Sequence, residues 1–260
     1  MPVVDTKQWL LDSSADPIEV TEKLVPYFKN ASAEPLYQYL VQCGMYVKGR
    51  QAGEALEQLT ESDVWGTVGQ LFRKYKNRWN GPDIPVFIFP HRVSGLFTRN
   101  HNKSGLAYPD KLILFISPSL GIDEIEALLI HEYHHVCRLG KQKKPMADFT
   151  ILDTIILEGC AEYAVREIKG KDHLAPWTIK YPADFLKRCW NRIFKENVKT
   201  HNKDPLHEQL LYGKGKYPHM IGYCLGYRLI DLYGEKDGFQ LNHTFTVKPE
   251  EVIEYAEDRL

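Results

Sequence analysis

No stretch of this chain approaches the roughly 18 consecutive apolar residues that a membrane-spanning helix needs, so none is expected. The opening residues, MPVVDTKQWLLDSSADP, lack a basic segment followed by an apolar one. That excludes the usual secretory signal and makes the cytoplasm the expected location. Cysteine is scarce and unpatterned: Cys43, Cys137, Cys160, Cys189 and Cys224 are odd in number, and none forms a C-x-x-C pair. They read as buried thiols in a reducing compartment rather than as a disulfide framework. An excess of one charge sign is also missing. A net charge of −1 gives no general attraction to nucleic acid or to anionic membranes, and neither is expected as a partner.

What is present suits a globular chain. Its 260 residues, with 43% apolar and 26% charged, are enough for one large domain or for a main unit with a small appendage. From Pro17 to Trp79 the apolar residues repeat at helical spacing. Ile18, Leu24, Val25 and Phe28 form one stripe, and Leu36, Leu40, Cys43 and Val47 a second. Val64, Trp65, Val68, Leu71, Phe72 and Tyr75 form a third, with Ser62 as its expected N-cap. Residues 1–80 are therefore expected to be a helical region. After the turn at Asn80-Gly81-Pro82-Asp83, Val86–Phe89 and Leu112–Ile116 are short β-rich runs, and a small antiparallel sheet is expected. His91 and His101 are expected in solvated loops.

The chain is organised around Gly121–Gly140, GIDEIEALLIHEYHHVCRLG. Asp123 and Glu124 suit a helix N-terminus, Arg138 its last turn, and Gly140 its stop. Stepping about 100° per residue puts His131 and His135 roughly 40° apart on one face. Ile122, Ile125, Leu129, Tyr133 and Val136 fall on the opposite face. His131, Glu132 and His135 spell H-E-x-x-H, in which two imidazoles at i and i+4 close on one metal ion. Glu132 reaches a metal-bound water rather than the metal, as a general base. His134 lies about 60° from His131; it could replace one of the two as a ligand, but a flanking place facing solvent or substrate is the expectation.

Asp148–Gly170, DFTILDTIILEGCAEYAVREIKG, reads as a second two-sided helix. Leu152, Ile156, Cys160 and Tyr163 line one face, while Glu158 and Glu162 lie four apart on another. Glu158 completes a His2Glu set for one Zn2+, with the fourth position open to water. Glu162, one turn on, is placed to accept a hydrogen bond from the free ring nitrogen of a ligand histidine. Gly159 removes a side chain where two helices must approach closely.

At these residues the chain resembles the gluzincin metallopeptidases, through HEYHH followed by LEGCAEY. More closely it resembles the YjaZ-like family of predicted zinc-dependent proteases. That likeness runs from about Trp79 through WNGPDIPVFIFP, KLILFISPSL, HEYHH, LEGCAEYA and a late GYCLGY. Glu158 follows His135 by 23 positions, slightly more than in the thermolysin-like gluzincins, so a longer connecting loop is expected. The resemblance implies an α+β fold, mostly helical, with a small antiparallel sheet beside the H-E-x-x-H helix. It also implies a zincin-like metallopeptidase domain over residues 81–260. A strand before the first zinc helix would border the cleft, and Leu112–Ile116 is the candidate edge to which a peptide adds by backbone hydrogen bonds, although an apolar run is more often simply buried core. Gluzincins also supply a tyrosine or histidine that steadies the oxyanion. The GY-x-x-G match makes Tyr223 the first candidate, with His219 and Tyr227 next on a helix expected from Pro218 to Gly234.

The basic stretch Lys187–Lys203 carries Trp190 and Phe194 at helical spacing with Phe185, Leu186, Cys189 and Ile193. An amphipathic helix accounts for it better than nucleic-acid binding. The loop Lys141–Pro145 reads as solvated, and the tail Lys248–Leu260 as a short, exposed, charged helix. The sequence thus points to a zinc metallopeptidase acting on a peptide or protein through a zinc-bound water activated by Glu132. Two alternatives stand beside it: a zinc-binding module without proteolysis, and a zinc amidohydrolase acting on a small amide.

Overall fold

The computed structural model describes residues 3–92, 102–142 and 144–260; His101 lies outside them, so the expectation for it does too. The chain divides into two compact units, Met1–Val136 and Cys137–Leu260.

In the first unit, helices α1 (Thr6–Asp12), α2 (Pro17–Leu24), α3 (Ala33–Cys43), α4 (Arg50–Glu61) and α5 (Val64–Trp79) precede a three-stranded sheet. Asp16 caps α2 by accepting the Ile18 and Glu19 N–H groups, and Pro17 opens the helix where no donor is needed. The expected cap Ser62 instead ends α4. Asp63, at φ 47°, turns the chain and caps α5 through the Gly66 N–H. Val47 falls outside its helix: α3 stops at Gly44, whose φ of 121° favours glycine, and Val47 is exposed.

The sheet comprises β1 (Val86–Pro90), β2 (Lys103–Tyr108) and β3 (Lys111–Ile116), in the order β1-β3-β2. It is mixed rather than wholly antiparallel. β3 pairs parallel with β1, Val86 opposite Leu112, and antiparallel with β2, Lys103 opposite Ile116. The reason is that the segment between the two apolar runs supplies a strand of its own. β2 takes the hairpin position next to β3 through the turn at Pro109 and Asp110. Of the two readings of Leu112–Ile116, buried core holds and the peptide-binding edge is corrected. Buried along its whole length, that run is the central strand and has no free edge. The edge strand is β2, half-buried throughout. The outer side of β1 is met by the N-terminal chain, where the Val4 N–H donates to the Val86 carbonyl.

Phe87, Phe89, Ile113 and Phe115 pack from one sheet face into a core with Leu10, Val20, Leu24, Leu36 and Leu40. On β2, Leu106 and Tyr108 join that side, while Gly105 turns toward Glu132 of helix α6 (Ile122–Lys141) on the other. Helix α5 fixes the attitude of α6. Lys74 and the Tyr75 hydroxyl both reach the buried Glu126 carboxylate at 2.7 Å, and Tyr133 donates to the Pro82 carbonyl at 2.8 Å. Phe72 and Trp79 pack on the Tyr133 ring. His91 is buried rather than solvated, because Met45 pairs with it as an extension of the sheet.

In the second unit, α7 (Ile151–Lys169) opens with a capping box between Thr150 and Asp153. It crosses α11 (Ile221–Tyr233) at Gly159 and Gly226, where a Cβ on either glycine would collide with the facing backbone. The close approach expected of Gly159 is present. Around this crossing α8 (Ala183–Cys189), a π-helical turn (Trp190–Phe194) and, after the short α9 (Lys195–Asn197), α10 (Pro205–Tyr212) complete the core. Leu186, Cys189, Trp190 and Phe194 face inward, as the amphipathic reading required. The tail differs from expectation. α12 (Pro249–Ala256) buries Val252 and Ala256 completely, so it is a packed, amphipathic helix. Arg138, at the end of α6 and 1% exposed, donates to the carbonyls of Thr244 and Val247. Among the described residues no helix is long and apolar enough to cross a membrane.

Candidate metal centre

Helix α6 carries the H-E-x-x-H segment with two imidazoles on one face, as the i, i+4 spacing dictates. The Nε2 atoms of His131 and His135 stand 3.1 Å apart, with their rings nearly perpendicular at 88°. Two ligand nitrogens on one tetrahedral zinc would lie about 3.3 Å apart, given Zn–N bonds of roughly 2.0–2.1 Å. The pair is thus already spaced for a shared ion. The carboxylate of Glu158, on α7, joins them: ligand atoms of His131, His135 and Glu158 all lie within 4.8 Å of one another. Two nitrogens and a carboxylate oxygen are the borderline donor set that zinc favours, and the cluster fits an H-E-x-x-H-type zinc site.

Glu132 and Glu162 are buried, whereas the ligand candidates His131 and Glu158 are partly exposed. Glu132 is 9% exposed, and its side chain lies against the backbone of β2 at Gly105. Glu162 is 3% exposed and accepts the Ala175 N–H at 2.5 Å, which ties the 170–176 segment to α7 one turn beyond Glu158. His134 departs from expectation. It is completely buried and meets the Trp79 ring edge-on at 6.0 Å, because its place on α6 turns inward rather than toward solvent.

The three candidates for oxyanion stabilisation are placed differently. Tyr223 is half-buried on the first turn of α11, with its ring between Trp177 at 5.1 Å and Tyr212 at 5.6 Å. His219 is exposed and precedes the helix, which begins at Ile221 after Met220 in a left-handed conformation. The His219 carbonyl accepts the Tyr181 hydroxyl. Tyr227 is buried, and burial pushes its phenol above the ordinary range, so it stays protonated.

Sequence reasoning missed β2, Gly105 and the Trp177–Tyr212 support of Tyr223. The first had a signal: Tyr108-Pro109-Asp110-Lys111 is a turn sequence directly before the apolar run. The aromatic support had none for Trp177, which lies 46 positions before Tyr223 in the chain.

Comparison with known proteins agrees with this centre. Residues 64–254 match the family described as "Predicted Zn-dependent protease (DUF2268)". Over 238 residues the chain is 34% identical to the uncharacterized protein YjaZ of Bacillus subtilis (strain 168), covering 90% of this chain and 91% of that one. It is 23% identical over 212 residues to the uncharacterized protein YjfC of the same organism, covering 72% and 68% respectively. No solved structure matches the chain. The matched span takes in the H-E-x-x-H helix, Glu158 and Tyr223 alike, and the chain belongs to this family of predicted zinc-dependent proteases.

Proposed function

We propose that the protein is a zinc-dependent metallopeptidase, hydrolysing peptide bonds with one Zn2+ held by His131, His135 and Glu158. The observation that carries this is the convergence of those three side chains within 4.8 Å, with Glu132 following His131 on α6. Bound there, zinc supplies Lewis-acid polarisation of the scissile carbonyl and of the attacking water. Glu132 takes the proton released as water attacks and returns it to the leaving amine. The Tyr223 hydroxyl steadies the oxyanion, and packing by Trp177 and Tyr212 supports that choice over the exposed His219. Glu162 holds a ligand histidine in its tautomer while anchoring the Ala175 segment.

The substrate is a peptide or protein in the cytoplasm, with no nucleic acid and no membrane as partner. It lies along β2, the edge strand, whose Gly105 backbone faces Glu132, so that backbone groups of the strand register the peptide. The zincin-like part spans residues 81–260, and residues 1–80 form a helical region that precedes it.

Metal content by mass spectrometry, on wild type and Glu158→Ala side by side, tests the ligand set. About one zinc per wild-type chain and little in the variant is the expected result. Glu132→Gln should keep its zinc and lose hydrolysis of a fluorescence-quenched peptide pool by about 100-fold or more. Full activity in that variant would sink the proton-transfer role. Zinc without cleavage in wild type would make a binding module the better reading.

A further inference from the structure

Glycine inside a strand costs stability, since it packs nothing and has the most freedom to lose. Gly105 sits in mid-strand, opposite Leu114, and its backbone is not in the left-handed region that favours glycine. Neither turn geometry nor strand preference accounts for it. A contact does. A Cβ at position 105 would stand 2.5 Å from both Cγ and Cδ of Glu132 and 2.8 Å from its Oε1, and these three are its nearest atoms. No carbon is tolerated at that distance, so an alanine side chain and the present Glu132 side chain exclude one another.

We propose that Gly105 is a positioning residue for Glu132. The bare backbone of β2 forms the floor on which the carboxylate rests, and it blocks water from that side. The neighbours on β2 support this. Ser104 is drawn to the opposite face, donating to the Cys43 carbonyl at 2.7 Å, and Leu106 packs there too, so the residue between them must face α6. Lys103 secures the strand to the same helix by reaching the Glu124 carbonyl at 3.1 Å. Any side chain at 105 would push Glu132 off this floor. A displacement of about 1 Å in a reacting group costs on the order of 100-fold in rate. The inference rests on the reading of Glu132 as the group that moves the proton, but its structural half can be tested without turnover.

The test is a double-mutant cycle on the zinc-loaded protein, comparing wild type, Gly105→Ala, Glu132→Ala and the double variant. With Glu132 present, Gly105→Ala should lower Tm by several degrees. In the Glu132→Ala background the obstruction is gone, and the same change should raise Tm by about 2 °C, the ordinary gain from replacing a strand glycine. Glu132→Gln has the same size as glutamate, so in that background Gly105→Ala should again lower Tm. Zinc content should stay unchanged throughout. Against the quenched peptide pool, Gly105→Ala should lose about 100-fold in kcat with KM little altered. An equal Tm change in the wild-type and Glu132→Ala backgrounds would overturn the proposal, as would unchanged kcat in Gly105→Ala when Glu132→Gln is inactive. Activity surviving in Glu132→Gln would remove the catalytic reading while leaving the Tm cycle to decide the contact.

Discussion

His207 shows how burial decides what one side chain contributes. It is 5% exposed, and its Nε2 lies 3.0 Å from the Thr154 hydroxyl of α7. Burial pushes its imidazole below the usual value near 6.5, with a backbone hydrogen bond to Thr150 opposing part of that shift. The folded protein therefore holds His207 neutral, whereas the unfolded chain takes up a proton as the pH drops past about 6.5. Its contribution to stability is complete above that pH and declines as the pH falls toward the lowered folded value. The Tm advantage of wild type over His207→Asn should accordingly shrink between pH 7.5 and 5.5. An advantage constant with pH would show that His207 does not titrate differently in the folded state. At this scale the metal centre was the most legible part of the molecule. His131 and His135 share a face by helical spacing, because a helix fixes the direction of each side chain, and the E-G-x-A-E segment marked Glu158, which the structure brings to them. The burial of His134 was not legible, since its face of α6 is covered by Trp79, which lies 55 positions away in the chain.

Among the elements, the crossing of α7 and α11 has the least slack. Gly226 stands against the Ile155 carbonyl, which is backbone and cannot swing aside, and Gly159 faces Gly226 in turn. Gly226→Ala should cost about 3 kcal/mol through overpacking, and Tm should fall by roughly 6–10 °C. Gly53 in α4 provides the contrast, because a Cβ there meets nothing within 4 Å. Gly53→Ala should stabilise by about 0.5–1 kcal/mol through helix propensity alone. Thermal unfolding of the two variants checks both signs. Elements with strong apolar periodicity were readable from sequence, and the unread ones lacked it. α4 buries Ala52 and Ala55 beside Leu56 and Leu59, so half of its inward face looks neutral. β2 reads KSGLAY, with polar and small residues where a strand would show alternation, because one of its faces lies against helix α6 and the other against the core. The order of strands was not legible either. An apolar run such as Leu112–Ile116 announces burial, but only pairing on both sides makes it central.

For the whole molecule, a metal held by residues as distant in sequence as His131 and Glu158 should act as a cross-link on the folded state. Because zinc would bind the folded chain and not the unfolded one, a chelator should lower Tm, and added zinc should restore it. Zinc at about 100 times its dissociation constant contributes roughly 2.7 kcal/mol, enough for a clear shift. Glu158→Ala should show little response to chelator, and an equal response in both proteins would argue for a metal bound elsewhere. The cysteines carry a further consequence for the intact fold. Cys137, Cys160, Cys189 and Cys224 are buried, all within Cys137–Leu260, while Cys43 is half-buried in the other unit. Burial raises Cys43, Cys160, Cys189 and Cys224 above the usual thiol range, which keeps them protonated and slow to react. A thiol-labelling reagent should therefore modify Cys43 first, and the other four only as fast as their surroundings open. Without any engineered probe, the chain keeps a clock of its own: the mass added at the four late thiols records how often that part of the protein comes apart.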